Sequence, residues 1–221
     1  MKKASILWFR KGLRLHDNPA LLEAIKEVDH VYPIFILDPH FISPDRVGAN
    51  RMQFLLESLA DLNASLEARG SQLLVLRGNP IDTLPSLFVT WNVTKICFEH
   101  DTEPYAVVRD GKVRELATSA GVSVYTPVSH TLYDPALLLK RCSNGKPPLT
   151  MKAFEKLIDT MKDLWPTPAP DPPPSLPPVG QLKEACLAVP VPALGSLPGY
   201  PERASTPFRG GESVALARMA K

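Results

Sequence analysis

Short apolar runs alternate with longer amphipathic ones over the first 130 residues. The runs fall at 6–10, 31–37, 72–77, 95–99 and 123–128, each rich in Val, Ile, Leu or Phe and nearly continuous. Continuous apolarity is the pattern of a strand covered on both faces. Between them, helical periodicity runs over 17–28, 49–69, 81–91 and 103–120. In the second of these, Phe54, Leu55, Leu59, Leu62 and Leu66 share one face, and Arg69-Gly70 supplies a basic last turn and a glycine stop. Gly121 closes the fourth in the same way. Five strand–helix repeats predict an α/β fold, a five-stranded doubly wound parallel sheet of Rossmann-like type with right-handed crossovers.

The texture changes after residue 130. One more helix is expected at 150–164. Thirteen of the 24 prolines then fall between Trp165 and Pro207. That density forbids regular helix or central strand and favours extension, so the stretch reads as a linker draped over a surface or hanging free. After Gly210-Gly211, strong helix formers resume. The expected organisation is an α/β domain at 1–135, a connecting segment with the Pro-rich linker at 136–207, and at 208–221 the first helix of a second domain.

Composition changes this picture little. A 44% hydrophobic and 22% charged chain is globular. Its formal net charge of +2 gives no global field for nucleic acid. Cys97, Cys142 and Cys186 have no metal-like spacing, and Cys97 inside Lys95-Ile-Cys-Phe98 reads as a small buried hydrophobe. No run approaches a membrane span, and Met1-Lys-Lys leads straight into a core strand, so no leader is expected. The expectation is a soluble intracellular monomer, nuclear or cytoplasmic.

In open parallel sheets ligands bind beyond the carboxyl ends of the strands. The residues there are Arg10-Lys11, Asp38-Pro39, Gly78-Asn79-Pro80, His100 to Pro104 and Val128-Ser129-His130. No Gly-x-Gly-x-x-Gly and no Walker-type loop follows a strand, which disfavours those modes of nucleotide binding. Glu99, Asp101 and Glu103 crowd one strand end, so they raise one another's pKa or need cations. Arg51, opening the second helix, is a candidate cation. Two readings stand open: helix caps and salt bridges, or a polar pocket of Arg51 and carboxylates beneath an apolar rim of Phe35 and Leu37. His16, His30, His40, His100 and His130 make no ligand pair, so no metal is expected. Ser129-His130 adjacency is no triad. Trp8 and Trp91 read as core.

Five segments together resemble the photolyase/cryptochrome family. They are Leu7-Trp-Phe-Arg-Lys-Gly-Leu-Arg-Leu-His-Asp-Asn-Pro-Ala-Leu21, Pro33-Ile-Phe-Ile-Leu-Asp38, Asn50-Arg-Met-Gln-Phe-Leu-Leu-Glu-Ser-Leu59, Phe98-Glu-His-Asp-Thr-Glu-Pro-Tyr105 and Ser129-His-Thr-Leu-Tyr-Asp134. The last, with Asn144-Gly-Lys-Pro-Pro-Leu-Thr150, is most similar to the (6-4) photolyase and animal-type cryptochrome branch. The resemblance implies a blue-light flavoprotein whose α/β domain holds an antenna pigment, a deazaflavin or a folate. Carried over by position, that pocket involves Phe35, Leu37, Asp38, Arg51, Glu99, Asp101 and Glu103. FAD, the catalytic residues and the contact with UV-damaged DNA belong, in the family, to an all-α domain of which only the first helix is expected here. No catalytic residue is therefore assigned, His130 included. One rival is a non-catalytic cryptochrome acting through signalling proteins. Another is a stand-alone nucleotide-binding module, which would need the phosphate loop that is missing.

Overall fold

The computed structural model describes residues 2–142, 145–161, 169–182 and 189–220. Five parallel strands form one sheet in the order β3-β2-β1-β4-β5. They are β1 (Ala4–Phe9), β2 (His30–Leu37), β3 (Leu74–Arg77), β4 (Val93–Cys97) and β5 (Ser123–Tyr125). The helices between them are α1 (Pro19–Ala24), α2 (Ala49–Glu67), α3 (Pro80–Thr90) and α4 (Pro104–Ser119). Strand order reverses at β1, which has β2 on one side and β4 on the other.

Period-two side-chain alternation divides the core. Leu7, Phe9, Phe35 and Leu37 face α1 and α2, where Met52, Leu59 and Leu66 cover them. Ile6, Trp8, Ile34 and Ile36 face α3 and α4, meeting Leu84, Phe88, Trp91 and Val113. Trp8 and Trp91 are core residues, as expected, and Tyr32 stacks on Trp91 at 4.2 Å between ring centroids. Cys97 is fully buried, and burial pushes its thiol up to about 12.

The expected boundaries shift where particular residues intervene. Asn18 caps α1 by accepting from the Leu21 N–H at 2.9 Å, with Pro19 in the first turn. The helix stops at Ala24 rather than 28. Ser5 Oγ donates to the Ala24 carbonyl at 2.6 Å and Lys95 Nζ to that of Glu23 at 2.7 Å, drawing off the last carbonyls. The last strand ends at Tyr125 because Pro127, two residues on, has no N–H for the ladder.

Beyond the sheet, α5 (Pro135–Arg141) was not expected; Asp134 caps it through the Ala136 N–H at 2.8 Å. α6 (Met151–Asp159) is shorter than the expected 150–164, whose last residues lie outside the described ones, as does Cys186. The described part of the linker is draped, not free. Pro170 and Pro178 carbonyls accept from Asp17 and Val31, Leu176 N–H donates to Arg69, and Val189 pairs with Val75 on the edge strand. Tyr200 is buried against the α2 side of the core, its hydroxyl donating to the Val47 carbonyl at 2.8 Å. α7 (Glu212–Met219) then lies along α2. Among the described residues no helix is long and apolar enough to cross a membrane.

Candidate functional site

A cavity of about 900 Å³ opens beyond the carboxyl ends of β1 and β2, between the starts of α2 and α4. This is where an open parallel sheet leaves room, because crossover loops part on either side of the strand-order reversal. Phe9, Phe35, Leu37, Met52 and Leu55 form its apolar floor and wall, with Phe41 at the rim. Five basic side chains border it, Arg10, Lys11, Arg14, Arg51 and Arg109. Five acidic ones match them, Asp17, Asp38, Asp101, Glu103 and Glu212. The charge lining is balanced, so the space suits an apolar body with polar edges rather than a strongly charged molecule.

Six of the seven residues expected here line this cavity, namely Phe35, Leu37, Asp38, Arg51, Asp101 and Glu103. Glu99 does not. It is buried, accepts from the Gly12 N–H at 3.0 Å and the Ser129 hydroxyl at 2.6 Å, and lies 3.4 Å from His130 Nε2. It ties the β1–α1 turn to the segment after β5.

The proposed pairing of Arg51 with these carboxylates is corrected by the geometry. Arg51 is exposed and forms an ion pair with none of them. Lys11 does so instead, 3.0 Å from Asp101 and 2.8 Å from Glu103, while Arg14 lies 3.9 Å from Glu99. Lys11 follows β1 directly, so the parallel β1–β4 pairing sets it beside the β4 end, whereas Arg51 enters from α2 on the β2 side. Asp101 is not raised by the crowding either. Burial would raise the Asp101 carboxyl, yet the Glu103 backbone N–H and the Lys11 ammonium together hold it below the usual range. Both open readings are therefore partly realised: Asp101 and Glu103 are in salt bridges and still line the cavity.

Tyr105, Arg109 and Asp110, at or beside the cavity, were not among the residues expected there. Asp110 accepts from Arg10 Nη1 at 2.7 Å on both oxygens and from Arg109 Nε at 2.9 Å. Arg10 also donates to the Glu99 carbonyl. The two guanidiniums flank the Trp8 ring, at 5.1 and 4.9 Å from its centroid. Burial lowers the Arg10 guanidinium from its ordinary value and Asp110 partly restores it. Tyr105, one helical turn before Arg109, donates its hydroxyl to Asp38 at 2.6 Å and stacks on His40 at 3.9 Å. Burial, then that bond to a carboxylate, push its phenol up to about 12. The i, i+4 spacing of Tyr105 and Arg109 was the one available sign that they share a face.

A family model described as DNA photolyase matches residues 5–175. The chain belongs to the DNA photolyase family. It is 45% identical over 233 residues to a (6-4) DNA photolyase of Arabidopsis thaliana, covering 98% of this chain and 40% of that protein. Cryptochrome-1 of Spalax judaei is 49% identical over 160 residues, which cover 72% of this chain and 27% of that one. The chain thus spans less than half the length of these curated relatives. Among solved structures, a Synechocystis cryptochrome superposes with a TM-score of 0.83 at 26% identity, over 98% of this chain and 45% of its own. A photolyase from Sulfolobus tokodaii gives 0.78 at 23% identity, over 99% and 46%, and supports the fold.

The photolyase family implies a flavin. The described residues fit its dinucleotide form poorly at this sheet: the single glycine of the β1–α1 turn, Gly12, spends its N–H on Glu99, leaving no open backbone cradle for a diphosphate there.

Proposed function

We propose that this photolyase-family chain holds a light-harvesting pigment for a blue-light flavoprotein of the (6-4) DNA photolyase type. The observation that carries the reading is the balanced 900 Å³ cavity with its aromatic side. A flat ring of the deazaflavin or folate class would lie against Phe35 and Leu37, where burying apolar area contributes most of the affinity. Lys11 is already shared between Asp101 and Glu103, so Arg51, exposed at the mouth, is the cation left to take a hydroxylated or anionic tail. Asp101, held ionised, accepts from ring or tail donors. The chain's own residues thus bind and orient the pigment and exclude water from one face; the pigment itself supplies the absorption.

A second reading, a cryptochrome photoreceptor acting through protein partners, is favoured by the higher identity to cryptochrome-1 over 160 residues. The (6-4) photolyase reading is preferred because that match runs over 98% of the chain, linker and α7 included. Repair of UV-damaged DNA would be the work of the whole protein.

The test is a fluorescence titration of wild type, Arg51→Ala and Asp101→Ala with 5-deazariboflavin and with a reduced folate. Wild type is expected to bind one of them in the micromolar range, about −8 kcal/mol, with each variant about tenfold weaker. Equal binding by all three proteins would place the pigment elsewhere, and no binding by wild type would end the reading.

A further inference from the structure

α7 places no buried residue in the core, yet Gly211, Glu212, Ala215, Leu216 and Met219 all line the cavity. What fastens the helix is polar. The Glu212 carboxylate accepts from the Leu15 N–H at 2.9 Å and the His16 N–H at 3.1 Å, and lies 3.0 Å from His16 Nδ1. Asp61 on α2 accepts from the Ser213 N–H at 3.1 Å and from its hydroxyl, and Glu57 accepts from the Gly210 N–H at 2.9 Å. Gly210 lets the backbones touch, since a side chain there would overlap the Phe54 carbonyl. Meanwhile Leu216 and Met219 remain 43% and 83% exposed. Farther along the helix Arg218 lies over the Phe208 ring at 5.4 Å, but an eight-residue helix whose hydrogen bonds to the α/β layer cluster at its N-terminal end is marginal in water. Among the described residues, the side of the helix that faces the cavity therefore keeps apolar surface that an occupant can cover.

We propose that α7 is a ligand-coupled wall of the cavity: the occupant covers Leu216 and Met219, and the helix in turn closes over the occupant. Glu212 is the positioning residue, acting through the helix it clasps to the β1–α1 turn. The inference rests on the pigment-pocket reading and adds to it a mutual stabilisation. By linkage, whatever the occupant gives to helix order, helix order returns to affinity by the same factor. A cavity walled by the sheet alone would bind its ligand without any change at α7.

Hydrogen–deuterium exchange over 215–220, with and without saturating 5-deazariboflavin, reads the coupling directly. These amides close α7, as in Ala215 N–H to the Gly211 carbonyl and Ala220 N–H to that of Leu216, both at 3.1 Å. The probe is expected to slow their exchange about tenfold, within the range of ordinary coupling. Met219→Gln changes an exposed side chain, so the free protein should melt as wild type does, while probe affinity falls about threefold. Glu212→Ala should weaken binding about tenfold, and Glu212→Gln, which keeps one acceptor oxygen, should recover part of that. If wild type binds the probe but either the exchange rate or the Met219→Gln affinity stays unchanged, the coupling is wrong and the pocket stands. If wild type binds no probe, both fall.

Discussion

Two guanidiniums converge on Asp110, and its carboxylate makes their burial tolerable. Arg10 lies under the sheet end between Trp8 and Phe98, with only 7% of its side chain exposed, so the desolvation of its charge has to be met by close partners. Asp110→Ala leaves Arg10 and Arg109 buried without a carboxylate and is expected to cost about 3 to 5 kcal/mol, lowering the melting midpoint by about 10 °C. Arg10→Met combined with Asp110→Leu should recover part of that loss, since an apolar pair of similar volume removes one stranded charge. Thermal melts of the three proteins check this; a double variant as unstable as the single would mean that the ion pair matters for packing and not for charge. None of this was visible locally. Arg10 was legible as a residue past a strand, but its partner lies 100 positions away on a helix with no marked apolar face.

At the scale of elements, the β1–α1 turn governs how the strand ends come together. Gly12 donates to Glu99, and a methyl group on Gly12 would overlap that carboxylate. Glu99 cannot easily give way, because Ser129 holds its other oxygen and His130 lies against the one that Gly12 binds. Gly12→Ala is therefore expected to destabilise the protein by about 1 to 3 kcal/mol, and Gly12→Ala/Glu99→Gln should not rescue it, the amide being as large as the carboxylate. Urea unfolding decides; a neutral Gly12→Ala would show that the turn can relax. Elements were the most legible level of this chain. All five strands and the four helices between them were readable from period and caps, and so was α7. Ends were misjudged where distant side chains intervened, as Lys95 and Ser5 do at the close of α1. α5 escaped because seven residues are too few for periodicity, even though Asp134-Pro135 is a capping pair.

For the whole molecule, the formal net charge of +2 gives no global field for nucleic acid, and the cavity's basic side chains are matched by acidic ones. The 221-residue chain is expected to bind duplex DNA only weakly and with a steep salt dependence. A mobility-shift assay at physiological salt checks this, and specific retention of UV-damaged duplex would overturn it. The α/β architecture, the apolar faces of the sheet, the family membership and six of the cavity's lining residues were all readable from the amino-acid order. Hydrophobic period, caps and motif spacing are local properties, so the chain declares them without folding. Tertiary structure alone decided that Lys11 rather than Arg51 answers the carboxylates, that Glu99 fastens loops instead of lining the cavity, and that α7 stands as one of its walls. Those are contacts between residues about 30 to 200 positions apart. They depend on where crossover connections bring strand ends and helix starts together, and no periodicity within a short window encodes that distance.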